Sequence, residues 1–217
     1  MKLKCENTVA ILIVLIFSLN SCVQISTLQS AKTLEKDEKN WGIAAAYYTA
    51  SEGDLFGEEA IGIEGIPVVE LFGRQGFSEN FDAGLKLSSA ANLQIDGKLQ
   101  LVGNQDDAKF ALATGLALEY QYSGFENLVT RQTLPLYLSY HPNEKLAIYT
   151  SPKVIHQYVS DENDTFFIGD NLGFKVRIND YLSLAVEGST YLVFDNKFTS
   201  TNKNFFTGGV GVIFDIK

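Results

Sequence analysis

The chain predicts an all-β fold: a closed, antiparallel, up-and-down transmembrane β-barrel of about ten strands, with eight as the alternative count. Three features point to it. From Trp41 onward, apolar residues alternate with polar or small ones and do not recur at helical spacing. The alternating stretches are each about as long as the 9–11 residues that a tilted strand needs to cross a bilayer. The connections also alternate, tight turns at one end of the strands and longer polar loops at the other, an asymmetry expected of a membrane barrel.

In order, the strand segments are 41–50, 62–74, 80–89, 92–103, 108–122, 129–141, 145–156, 165–178, 181–194 and 205–217. The first sets Gly42, Ala44 and Ala46 against Trp41, Ile43 and Tyr47. The second contains Pro67, which cannot donate to a ladder and predicts a bulge or a displaced boundary; Pro135 and Pro152 carry the same expectation in the sixth and seventh. In the third, Phe81, Ala83, Leu85 and Leu87 alternate with Asp82, Gly84, Lys86 and Ser88. The fourth sets Leu93, Ile95, Leu99 and Leu101 against Gln94, Asp96, Lys98 and Gln100. In the fifth, Phe110 to Tyr120 alternate with Ala111, Ala113, Gly115, Ala117 and Glu119. The eighth alternates Leu172, Phe174, Val176 and Ile178 with Gly173, Lys175 and Arg177, and the last sets Val210, Val212 and Phe214 against Gly209, Gly211 and Asp215. Short turns are expected at 76–79, 103–107, 141–144 and 179–180, and longer loops at 51–60, 123–128, 160–164 and 196–204. The short connection at 90–91 breaks this rule.

Alternation alone also fits a soluble sandwich or a lipocalin-like barrel, whose apolar face points inward. The second face argues against them. It is rich in glycine and alanine, which cover little surface and weaken exposed strands but suit a narrow interior. Its charges are of mixed sign: Asp82, Lys86, Asp96, Lys98, Glu119, Arg131, Lys175, Arg177 and Glu187. A tight hairpin of the third and fourth segments puts Asp82 opposite Lys98, with Lys86 diagonal to Asp96. Such opposed charges would form a lumen network that keeps buried charges paired. Aromatics fall in two belts, Trp41, Phe81, Tyr140, Tyr181 and Phe214 toward the turns, and Tyr47, Tyr120, Tyr122, Phe166, Phe194 and Phe206 toward the loops. Bilayer interfaces select such belts.

Ahead of the strands lie Lys2 and Lys4, an eleven-residue apolar run from Val9 to Leu19, and then Asn20, Ser21 and Cys22. The run is too short to span a bilayer and has the layout of a cleavable export signal. It resembles a bacterial lipoprotein signal, in which Leu19, Asn20 and Ser21 stand before the lipid-attachment cysteine, Cys22. The resemblance implies cleavage after residue 21 and an acylated N-terminus. Cys5 lies in the removed part, so the mature chain holds one cysteine and no partner for an intramolecular disulfide. Residues 23–40 are polar without a sustained period and are expected to form a flexible tether. The resulting domains are 1–21 signal, 22–40 lipidated N-terminus and tether, and 41–217 barrel.

Removing residues 1–21, which hold Lys2, Lys4 and Glu6, leaves 15 basic and 25 acidic residues. An acidic chain without a basic block argues against nucleic acid as a partner. The strands from 41 to 217, ending Val210-Gly211-Val212-Ile213-Phe214-Asp215-Ile216-Lys217, resemble small bacterial outer-membrane β-barrel proteins. The resemblance implies an outer-membrane location in a Gram-negative bacterium. Its implied partners are membrane lipids, lipopolysaccharide, and the machineries of barrel assembly and lipoprotein processing. No cofactor or metal site is expected, because the acidic runs 52–54, 58–59 and 161–164 lack the spacing of a calcium loop. A structural or surface-interaction role with a filled lumen is the leading expectation. The alternatives are a narrow solute channel, a lipid-modifying hydrolase using His156 with Ser160 and Asp161, and a soluble periplasmic lipoprotein binding an apolar ligand.

Overall fold

A computed structural model describes residues 27–50, 66–103, 108–122, 128–160 and 164–216. The signal, Cys22 and the acidic runs 52–54 and 58–59 lie outside the described residues. The strands are β1 (Lys39–Ala50), β2 (Ile66–Ser78), β3 (Phe81–Ser88), β4 (Asn92–Val102), β5 (Phe110–Tyr122), β6 (Leu128–Asn143), β7 (Leu146–Thr150), β8 (Lys153–Val159), β9 (Thr165–Asn179), β10 (Leu182–Phe194) and β11 (Ser200–Ile216). Each pairs antiparallel with its sequence neighbours, and β11 returns to pair with β1, so the sheet closes. β7 and β8 together make one wall position, since both lie between β6 and β9. The barrel therefore has ten strands around its circumference.

The three prolines act differently. Pro152 interrupts the seventh segment and splits it into β7 and β8, while its carbonyl still accepts from the Leu136 amide at 2.9 Å. Opposite Pro135 the β5–β6 ladder skips Gly115 and Leu116 and resumes on either side. Pro67 is accommodated in the ladder with Tyr47.

The second segment, expected over 62–74, runs on to Ser78, because Gly73 and Gly76 belong to the strand and the turn falls at Glu79–Asn80, while its expected start at 62–65 lies outside the described residues. β11 begins earlier than expected, at Ser200. The hairpin at 89–91 is short, as the spacing predicted, with Ala91 at a positive φ of 56°. β3, with eight residues, is correspondingly shorter than β2.

The apolar face points outward all around the barrel. Leu71, Leu85, Ile95, Leu116, Leu172 and Val186 are all exposed, and their strand neighbours Glu70, Lys86, Asp96, Ala117, Asn171 and Glu187 are all buried. A continuous apolar girdle of this kind far exceeds the patch a water-soluble monomer exposes. At the turn end Trp41 stacks on Phe214 with centroids 4.4 Å apart, and Phe110 lies 4.7 Å from Tyr140. Tyr47, Tyr120, Tyr158 and Phe206 are exposed toward the loop end. The soluble alternative required the opposite inside-out sense.

Leu116 lies mid-strand on the outer face, where a charge would meet hydrocarbon. Leu116→Arg should destabilise the protein in lipid bilayers by about 2–4 kcal/mol, as charges do near the midplane of such barrels. Urea unfolding in liposomes measures this; an arginine tolerated there without loss would place Leu116 in water.

Candidate functional site

The lumen contains a segment of the chain itself. In place of the expected tether, residues 27–34 run inside the barrel and 35–38 lie at its turn-side mouth, with residues 35–37 exposed, and the segment hydrogen-bonds to the wall along its length. At the turn end the Asp37 amide donates to the Gly76 carbonyl at 3.0 Å, and the Gly76 amide donates to the Glu38 carbonyl at 2.9 Å. A Cβ on Gly76 would lie 1.9 Å from the Glu35 carbonyl oxygen, so only glycine lets the two backbones pass. Further in, the Leu34 amide donates to Asp82 Oδ2 at 3.0 Å, and the Thr33 amide to Gln100 Oε1 at 2.7 Å. Lys98 Nζ donates to the carbonyls of Ser30 and Lys32, at 3.0 and 2.9 Å. The Ala31 amide donates to Ser139 Oγ at 3.2 Å. Deepest, Glu187 accepts from the amides of Thr27 and Leu28, one on each carboxylate oxygen, at 2.8 and 2.7 Å. Lys153 Nζ donates to Thr27 Oγ1.

Small wall residues make the space. Leu28 is buried with Ala44, Ala185 and Ile213, and its Cδ1 lies 3.0 Å from where a Cβ on Gly211 would stand. Ala31 is buried with Ala111, Ala113 and Tyr137. The glycines and alanines of the inward face thus have a specific occupant.

Side-chain pairs fill the remaining section. Arg74 bridges Asp82 and Asp96, Lys98 also approaches Asp82 at 3.5 Å, and Lys86 approaches Glu70 at 3.6 Å. Arg131 bonds Glu119, Gln121 and Gln157 together. Toward the loop end an aromatic group of Ile155, Phe167, Tyr191, Val193 and Phe205 packs inside the wall, with Tyr191 stacked on Phe205 at 4.7 Å.

Of the charges expected in the lumen, Asp82, Lys86, Asp96, Lys98, Glu119, Arg131 and Glu187 are buried there. In the β3–β4 register Asp82 stands opposite Lys98 and Lys86 lies diagonal to Asp96, and Lys86 also approaches Glu70 of β2. Lys175 and Arg177 have the inward parity but sit at the turn-side mouth, where Lys175 is half-buried and Arg177 exposed. They line a cavity of about 480 Å³ together with residues of 30–39 and the turns. β9 runs past the enclosed part of the lumen there, which leaves Arg177 open to water.

Glu70, Arg74 and Lys153 were not evident from the sequence. Glu70 and Arg74 share the inward parity of β2, but Phe72 between them also turns inward and blurs the alternation. The lumen segment left one signal: residues 23–31 carry no charge, whereas 32–39 are dense in it. A chain meant to stay in water has little reason for that division.

His156 does not face the lumen. It lies on the outward parity of β8, stacks on Phe166 at 4.7 Å and bonds Asp164 Oδ2 at 3.0 Å. Ser160 Oγ accepts from the Leu128 amide at 3.3 Å, and Asp161 and Glu162 lie outside the described residues. Among the described residues no group of three or more His, Cys, Asp or Glu is arranged to hold a metal ion.

A closed antiparallel barrel, apolar outside and polar within, has the fold of outer-membrane β-barrel proteins. Comparison with solved structures agrees at the level of fold. An outer-membrane channel from Pseudomonas putida F1 is 9% identical, aligned over 89% of this chain and 100% of its own, with a TM-score of 0.53. The outer-membrane protease OmpT from Escherichia coli is 10% identical over 86% of this chain and 100% of its own, with a TM-score of 0.47. The NanC porin is 10% identical over 81% of this chain and 100% of its own, with a TM-score of 0.46. No protein-family model matches the sequence, and no curated protein is significantly similar to it.

Asp82 is the hub of the network, touching Arg74, Lys98 and the Leu34 amide. Asp82→Ala should lower stability by about 3–5 kcal/mol, since it leaves two buried cations under-compensated. Adding Lys98→Met should recover part of that loss. Equilibrium unfolding of the single and double variants in micelles measures the coupling, and simple additivity would mean that the pair is not coupled.

Proposed function

We propose that the chain is a plugged outer-membrane barrel of a Gram-negative bacterium, anchored additionally by lipid at Cys22, with a structural or surface-interaction role and no solute traffic. The observation that carries this reading is the occupied lumen: residues 27–38 and the paired charges take up the section through which a solute would pass. The segment is held all along its length, by Gly76, Glu79, Asp82, Gln100, Lys98, Ser139, Glu187 and Lys153. The external loops are then the surface on which partners, lipopolysaccharide among them, can act. The hydrolase alternative loses support from the placement of His156, which faces away from the lumen and has Ser160 Oγ already engaged by a backbone amide.

Planar bilayer recording tests the reading. The purified full chain should give no current above background. A variant lacking 25–36 should conduct if it folds, since the remaining wall leaves a polar passage where the segment lay; heat-modifiable migration on a gel verifies folding. Steady conductance from the intact chain would refute the plugged reading and favour the narrow channel.

A further inference from the structure

We infer that the turn-side mouth of the barrel is a binding site for a phosphate group, held between β9 of the wall and Lys32 of the lumen segment. The site lies at the mouth, beyond the filled section, and does not depend on whether the lumen conducts.

Strand register brings the site together. Lys175 and Arg177 stand two residues apart on the inward parity of β9. Across the ladder Lys175 faces Ala147, and the Arg177 amide donates to the carbonyl of Lys145, in the tight turn before β7, at 2.7 Å. β6 brings His141 alongside Ala147, one residue past the Tyr140↔Ile148 pair. His141 Nε2 pairs with Ser139 Oγ at 2.9 Å, and that same hydroxyl accepts from the Ala31 amide at 3.2 Å. Lys32 follows in the segment, its carbonyl fixed by Lys98 Nζ at 2.9 Å. Lys32, His141, Lys145, Lys175 and Arg177 all line the cavity of about 480 Å³, a volume within the range of small-molecule sites. The first two and Lys175 are half-buried and form its inner end, while Lys145 and Arg177 are exposed at its rim.

Lys145, Lys175 and Arg177 place like charges on neighbouring positions, an arrangement that destabilises a sheet. Among the described residues none of these three, nor Lys32, makes an ion pair. Carboxylates line the same mouth but stand apart from the cluster. Glu35 and Glu38 belong to the segment, Glu79 to the β2–β3 turn, and Asp215 of β11 accepts from the Ser183 hydroxyl at 3.4 Å. Glu144 and Asp180 are exposed in the β6–β7 and β9–β10 turns. An anion shared by several of the cations relieves their repulsion. A phosphate offers the guanidinium a pair of oxygens and keeps another for an ammonium, whereas Arg177 alone would use up a carboxylate. In barrels with these connections the tight turns face the periplasm. The phosphate there belongs either to a soluble ester or to the headgroup of a phospholipid in the adjoining leaflet.

Calorimetric titration of inorganic pyrophosphate into the full chain, in uncharged micelles at low ionic strength, tests the site. Binding should saturate. Lys175→Gln, Arg177→Gln and Lys32→Gln should each weaken it by about tenfold or more, the scale of a charge-assisted hydrogen bond. Lys197→Gln, which removes an exposed cation at the loop end, should leave it unchanged. Heat-modifiable migration identifies the folded variants, and exposed Arg177 keeps the test valid if half-buried Lys175 is needed for folding. Absence of saturable binding, binding that Lys175→Gln and Arg177→Gln leave intact, or equal weakening by Lys197→Gln overturns the site. Binding unaffected by Lys32→Gln alone overturns the bridge to the segment. Phosphorus analysis of the purified chain separates the two sources. Phospholipid retained by the native chain and lost from the Lys175 and Arg177 variants assigns the headgroup, and equal retention assigns a soluble phosphate ester.

Discussion

In hydrocarbon an unpaired backbone amide or carbonyl costs several kcal/mol, and no water is present to relieve it. A sheet can lie there only if it has no edge. The seam between β1 and β11, continuous from Lys39↔Ile216 to Ala50↔Phe205, removes the last edge of this one. Everything inside the barrel follows from that closure. A closed ring of ten strands has a lumen of set width, too wide for small side chains alone to fill and too narrow to be left open at no cost in packing. Here the gap is filled by a strip of backbone, and the glycines and alanines on the wall are the shape complement of that strip.

Filling a lumen with backbone brings a second requirement, because main-chain groups must be satisfied too. The segment makes no ladder with the wall along most of its length. Charged and amide side chains take the place of a neighbouring strand: Glu187 and Asp82 accept from its amides, and Lys98 donates to its carbonyls. These same groups would be expensive to bury alone. Arg74 offsets the charge of Asp82, and Lys98 sits between that carboxylate and two carbonyl dipoles. The charges and the segment therefore need each other, which explains why an acidic barrel keeps basic residues on its inner face.

The wall was legible in the sequence because one physical rule, lipid outside and protein inside, repeats at every second residue. Leu85, Lys86 and Leu87 or Leu116, Ala117 and Leu118 can be sorted without knowing any contact. The rule fails where a local packing need overrides it. Phe72 puts an aromatic ring at an inward position between Glu70 and Arg74, where Gly42 opposite it leaves room for the ring. That one inversion hid Glu70 and Arg74. Gly76 looked like a turn residue, yet its lack of a side chain serves the crossing of residue 35. The segment itself has no period at all, since its partners are scattered over β2, β3, β4, β6 and β10. Only its contacts define it, and those are long-range. Thr27 and Glu187 are 160 residues apart.

That separation bears on how such a molecule can be assembled. Leu28 touches residues on both sides of the seam, Ala44 of β1 and Ile213 of β11, as well as Ala185 of β10. Passing residues 27–38 through a finished barrel would mean breaking the Arg74–Asp82 and Lys98–Asp82 pairs and exposing Glu187 alone, each step opposed by several kcal/mol. Closing β1 against β11 over a segment already lying along β1 breaks none of them. The segment is joined directly to β1 and arrives with it. It offers β10 and β11 an apolar side chain at Leu28 and two free amides at Thr27 and Leu28, so the contacts that fill the lumen also help to align the strands that enclose it. Plug and seam are in this sense one structural unit, and a barrel of this sequence that closes without its segment would have to leave Glu187, Asp82 and Lys98 facing an emptied lumen.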